Sequence, residues 1–136
     1  MADVTFSGNA VVNNIKYVEV RVAGGTITKH QIVYIDTSDN NEVKPADADA
    51  SASAVAYGMA LHAAASGEFV LVAKNGATIT VGGGLTANTR YVVSTTAGAI
   101  APQADLGSGD YITEVAFANS TTELVLDINA TGNTVA

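Results

Sequence analysis

The stretch VRVAGGTITKHQIVYID, residues 20–36, reads as two short strands around a Gly-Gly kink, and a variant of it, ITVGGGLTANTRYVVS, returns at residues 79–94. Val20 matches Ile79, Gly24 and Gly25 match Gly83 and Gly84, and Thr28 matches Thr86. The correspondence continues with Tyr34-Ile35 on Val92-Val93, Pro45 on Pro102, Met59-Ala60-Leu61 on Val115-Ala116-Phe117, and Glu68 with Val70-Leu71 on Glu123 with Val125-Leu126. The offset falls slowly, from 59 (Val20 to Ile79) to 55 (Leu71 to Leu126). Single deletions between strand-like runs are what duplicated β units accumulate, because loops tolerate length changes that strands do not. Residues 15–73 and 74–129 therefore read as two pseudo-repeats of a single β domain spanning 15–136, with residues 1–14 as a flexible N-terminal arm.

Alternation with a period of two recurs along the chain, which is the signature of half-buried strands. In IKYVEVRV, Val18, Val20 and Val22 share one face while Ile15, Tyr17, Glu19 and Arg21 share the other. TELVLDI places Leu124, Leu126 and Ile128 opposite Glu123, Val125 and Asp127. FVLVAKNGATITV, residues 69–81, reads as a hairpin turning at Asn75-Gly76, a dipeptide that accepts positive φ angles. Only ADADASASAVAYG hints at helix, and its serines and the flanking Pro45 and Gly58 limit that to a short turn near 46–56. One half alone leaves a sheet face wet, so the expected fold is all-β, with two such halves packed as a small β-sandwich or closed as a small β-barrel.

Composition narrows the function. The 136 residues are 48% hydrophobic and only 14% charged, with 13 glycines, no tryptophan and no cysteine. The missing cysteines remove disulfides, thiolate nucleophiles and thiolate metal sites. A net charge of −7 opposes a phosphate backbone, so nucleic acid is not an expected partner. The start, MADVTFSGNAVVNNIK, has no basic segment followed by an apolar one, and no run is long and apolar enough to span a bilayer; the expectation is a soluble chain made in the cytosol, with no membrane partner.

No constellation singles out a catalyst. Gly82-Gly83-Gly84 lacks the following Lys and the helix start of a phosphate loop, and reads as a bulge or sheet corner. DTSDNNE, residues 36–42, offers alternate oxygen ligands without the glycine and terminal Glu of a calcium loop, and reads as a turn between strands; Asp105 and Asp110 around LGSG read the same way. His30 and His62 stand apart without neighbouring ligand residues and read as surface histidines. With no nucleophile elbow either, the chain is expected to be no enzyme and to carry no cofactor and no metal.

PADADASASAVAYGMALHAAASGEFVLVAKNG, then LTANTRYVVSTTAGAIAPQ and VAFANSTTELVLDI, resembles the head decoration (capsid cement) proteins of tailed bacteriophages over residues 15–128. The shared layout is a strand entering a Gly-containing turn, an Ala/Asp-rich link, a G-x-A-L motif, and a Gly before a V-x-V run. The chain departs from the family in its clear duplication and in lacking the Pro-rich arm of lambda-type members. The resemblance implies a non-enzymatic virion protein that assembles as a homotrimer on the outer surface of the expanded phage head and clamps neighbouring subunits of the major capsid protein, its partner. Within the arm, Val4, Thr5, Phe6, Val11 and Val12 are the candidate capsid contacts, through apolar side chains and backbone groups free for strand addition. The alternative is a β domain of a phage tail or spike that binds a host surface glycan.

Overall fold

The apolar alternation is realised as eleven strands, and the structure, a computed structural model, describes residues 3–6 and 8–136. Met1, Ala2 and Ser7 of the arm lie outside the described residues. In chain order the strands are β1 (Val11–Val12), β2 (Val18–Val22), β3 (Ile32–Asp36), β4 (Glu42–Pro45), β5 (Gly58–Ala60), β6 (Phe69–Lys74), β7 (Thr78–Thr80), β8 (Thr89–Val93), β9 (Ile100–Pro102), β10 (Tyr111–Ala118) and β11 (Glu123–Thr134). Helix among the described residues is confined to two single 3-10 turns, Ile15–Tyr17 and Gln103–Asp105. The Ala-rich 46–56 segment forms turns, tied by one helix-like bond from the Ala54 N–H to the Ala50 carbonyl.

Each half of the sequence builds its own antiparallel sheet. The first sheet runs β2-β6-β5-β3-β4, and the second runs β7-β11-β10-β8-β9 with β1 added outside β7. Counting strands from the start of each half, the two orders are identical: 1-5-4-2-3 in both. Pro45 ends β4 and Pro102 ends β9, and both prolines stop the third strand of their half, where a missing N–H costs least.

The sheets pack face to face as a sandwich over one main core. Ile32, Met59 and Ala73 of the first sheet meet Ile79, Val92, Val115, Leu124 and Leu126 of the second, all fully buried. The opposite face of the first sheet curls around a smaller cluster of Ile27, Val33, Val43, Val70 and Val72. Its two edges touch at the parallel bridge Ala23 to Val43, with the Gly24 N–H on the Val43 carbonyl at 2.8 Å; that single bridge leaves the sheet open. A sandwich, not a closed barrel, is the architecture.

One local expectation is corrected. Asn75-Gly76 is a tight turn, with Gly76 at φ +95° and the Ala77 N–H on the Lys74 carbonyl, yet β6 and β7 do not pair. Both edges of β6 are occupied by β2 and β5, and β7 sits between β1 and β11, so the turn carries the chain from one sheet to the other. The C-terminal run NATGNT, too polar to suggest a strand, is the far end of β11, with Tyr111 of β10 opposite Thr134.

Candidate interaction surface

Along β6, Phe69, Leu71 and Ala73 point to one side of the sheet, directly opposite Val22, Val20 and Val18 of β2. Ala73 is buried in the main core, but the same face then runs out from beneath the second sheet: Leu71 is 40% exposed and Phe69 73%, with Val20 beside them at 56%. Val20, Leu71 and Phe69 thus form an apolar band on an open sheet face. The repeat matches Val20 and Leu71 with Ile79 and Leu126, and the same offset puts Phe69 on Leu124; all three counterparts are buried in the main core. The chain has covered these positions in one half and left them bare in the other.

The reverse face of the band's strands is polar at the rim. Glu19 and Arg21 flank each other at 3.8 Å; the Tyr57 hydroxyl donates to the Glu19 carboxylate, and the Arg21 guanidinium lies 5.5 Å over the Tyr57 ring while donating to the Asn41 carbonyl at 2.9 Å. Burial, and then the Glu19 bond, push the Tyr57 hydroxyl up to about 12, which keeps it a donor at any physiological pH. Val20, Arg21, Val22, Asn40 and Asn41 line a surface cleft of about 300 Å³ along the outer side of β2.

The arm lies along its own domain. Val4 donates its N–H to the Ile100 carbonyl at 3.0 Å, Gly8 to Val81 at 2.8 Å and Asn13 to Thr78 at 2.9 Å, while Val11 and Val12 pair with Thr80 and Ile79. Val4, Phe6 and Val12 pack against the main core; Thr5 is exposed and Val11 is 60% exposed. The triple glycine makes this passage possible. Gly82, Gly83 and Gly84 all have positive φ, and a Cβ on Gly84 would collide with the Thr5 carbonyl oxygen. They form a corner after β7 across which the arm is threaded.

The histidines divide. His62 is exposed, accepting through Nε2 from the Leu71 N–H at 3.1 Å, in agreement with a surface reading. His30 is buried, which corrects that reading: its N–H is tied to the Ala60 carbonyl and the Phe6 ring covers it. Burial, with the Lys29 charge behind it, lowers the His30 pKa, and a hydrogen bond to the Asn9 backbone acts in the opposite direction. Nothing in TKHQ signals this, because the covering ring comes from 24 residues upstream.

DTSDNNE is the β3–β4 turn. Its carboxylates converge on a lysine: Lys44 Nζ sits 2.8 Å from Asp36 and 3.0 Å from Asp39. The hydrogen bonds from Lys44 and Ser38 draw Asp36 down to about 2. Among the described residues no group of three His, Asp or Glu side chains is placed to hold a metal ion. No helix among them is long and apolar enough to cross a membrane.

No family model matches the chain, and no curated protein matches it either. The function is therefore argued from the surface itself. An open apolar band offers contact area to a protein partner, in contrast to a small-molecule site, which would be concave and enclosed.

Proposed function

We propose that this chain is a structural protein of a tailed-phage virion that binds the outside of the expanded head and ties neighbouring major capsid subunits together. The observation that carries the proposal is the exposed Val20, Leu71 and Phe69 band on a rigid two-sheet platform. Solvent contact with three large apolar side chains on one sheet face is unfavourable unless a partner covers them. A cement of this kind works by number: many copies on one shell each contribute a modest contact, and linked engagement raises the effective concentration of the next. The sequence resemblance to head decoration proteins supplies the identity of the shell.

The arm has a defined part in this reading. Thr5 and Val11 already face solvent and can meet a capsid as they stand, whereas Val4, Phe6 and Val12 would first have to leave their own core. Co-sedimentation with expanded, undecorated heads tests the proposal. The full chain should pellet with the heads, Phe69→Ser should weaken the binding, and deletion of residues 2–13 should reveal what the arm adds. Failure of the full chain to co-sediment would sink the capsid reading.

The exposed Phe69 ring favours one second reading, a tail or spike domain that stacks the ring on a host glycan. A glycan array separates the two, since a cement gives no hits.

A further inference from the structure

Asn75-Gly76 is the one Asn-Gly pair in the sequence, and such a pair is chemically labile. The glycine nitrogen, once it has lost its proton to hydroxide, attacks the carbonyl carbon of the asparagine side chain. An N–Cγ bond forms, the Cγ–Nδ2 bond breaks, and ammonia leaves a five-membered succinimide. Water then opens the ring at either carbonyl, giving aspartate or, with the main chain rerouted through the side chain, isoaspartate. Glycine favours the attack because no Cβ crowds its nitrogen.

Burial does not protect this pair. Asn75 and Gly76 are both exposed, and Asn75 borders a cleft on either side of the turn, of about 460 and 440 Å³. The restraint comes from β11. The Gly76 N–H donates to the Leu126 carbonyl at 2.9 Å and the Leu126 N–H donates to the Ala77 carbonyl at 2.8 Å, which carries the β7–β11 ladder past Thr78 into the turn. Beyond it, Asn75 Oδ1 accepts the Ile128 N–H at 2.7 Å, so a side-chain carbonyl stands in for the next backbone acceptor of the ladder. One strand thus holds both reacting groups. Ring closure needs the Gly76 proton, which the Leu126 carbonyl retains, and rotation of a side chain that the Ile128 N–H retains.

The fold also depends on both residues. Gly76 has φ +95°, and a Cβ there would come 3.0 Å from Cε1 of Tyr17, while Asn75 supplies the acceptor for Ile128.

We infer that Asn75-Gly76 is a latent site of self-modification, inert while β11 grips the turn and reactive once the turn comes away. The reaction rate is then scaled down by the fraction of time that the turn is open. Isoaspartate adds a methylene to the main chain at the point where it crosses from the first sheet to the second. A molecule modified while open therefore does not regain the Leu126 and Ile128 contacts in register, and opening leaves a permanent covalent mark. The inference is independent of what the apolar band binds.

The full chain and a peptide of residues 70–81, as the unrestrained reference, are held at mildly alkaline pH with and without urea. Mass spectrometry of digests scores conversion of the Asn75 amide to an acid, and chromatography separates isoaspartate from aspartate. In the folded chain Asn75 should react at least about tenfold more slowly than in the peptide. Urea should raise its rate to that of the peptide along the unfolding curve read by circular dichroism. Ile128→Pro removes the N–H on Asn75, which points away from β10, and should speed the reaction about threefold or more. If that variant does not fold, the urea series on the wild-type chain decides. Asn75→Asp keeps an acceptor and an ordinary main chain, so it should stay folded where the isoaspartyl fraction loses sheet signal. The inference is overturned by a folded chain that reacts at the peptide rate, by a rate indifferent to unfolding, by a folded Ile128→Pro that reacts no faster than wild type, or by an isoaspartyl fraction as well folded as Asn75→Asp.

Discussion

The Phe6 ring lies 4.7 Å from the His30 ring, centroid to centroid and tilted by 57°, and fixes the start of the chain over a buried imidazole whose Nε2 has no hydrogen-bond partner. A titratable group thus sits beneath the arm.

That contact makes arm docking sensitive to pH. Burial holds the folded-state pKa of His30 below its ordinary 6.5, so between the two values the unfolded or undocked state binds more protons. The contribution of His30 is intact above pH 6.5 and is lost as the pH falls from there toward the lowered value. The protection of the amides at residues 3–13, measured against their intrinsic exchange rates at each pH, should therefore fall below pH 6.5. His30→Asn, which suits the positive φ of this position (73°) and does not titrate, should remove the effect.

The glycine corner should be intolerant of a side chain. Gly84→Ala places a methyl group against the Thr5 carbonyl on a backbone at φ +98°, with an expected cost of about 1–3 kcal/mol. Gly67→Ala shares the positive φ, at +88°, but has open space around it and isolates the backbone cost alone. Proteolysis within the first dozen residues should rise for the Gly84 variant and stay unchanged for the Gly67 one.

The β3–β4 turn should be acid-sensitive in a defined window. Asp36 is drawn to about 2 from an ordinary 3.8, chiefly by the Lys44 hydrogen bond, so its contribution is present above pH 3.8 and is lost as the pH falls through 2. Asp36→Asn should flatten the thermal melting temperature against pH across that window.

The apolar band should separate binding from folding. Phe69 is 73% exposed, so Phe69→Ser should change unfolding free energy by no more than about 0.5 kcal/mol. Met59→Ala, in the fully buried core, should cost about 2–5 kcal/mol. If denaturant melts give Phe69→Ser a cost like that of Met59→Ala, the band is structural and not a docking face.

Much of this architecture is written in local alternation. Leu124 and Leu126 are buried and Asp127 is exposed, as a period-two reading of TELVLDI places them, because each strand packs only one face on the main core. What alternation does not encode is which strand becomes whose neighbour. Asn75-Gly76 has the chemistry of a hairpin turn, but pairing is decided by which edges are free, and that is a property of the whole sheet. The band was similarly hidden: Phe69, Val70, Leu71 and Val72 are apolar on both faces, a pattern shared by a strand buried on both sides and by one that keeps an apolar face for a partner. His30 and its cover, 24 residues apart, leave no periodic trace at all.

The seating of the arm also sets an order of events during synthesis. Val4, Phe6 and Val12 leave the ribosome well before the residues that seat them: the strand that pairs with Val12 ends at residue 80, and the carbonyl that receives the Val4 N–H belongs to residue 100. A segment made before its partners is thus among the last to find its place, and until the second half has emerged the strand and carbonyl that hold it do not exist.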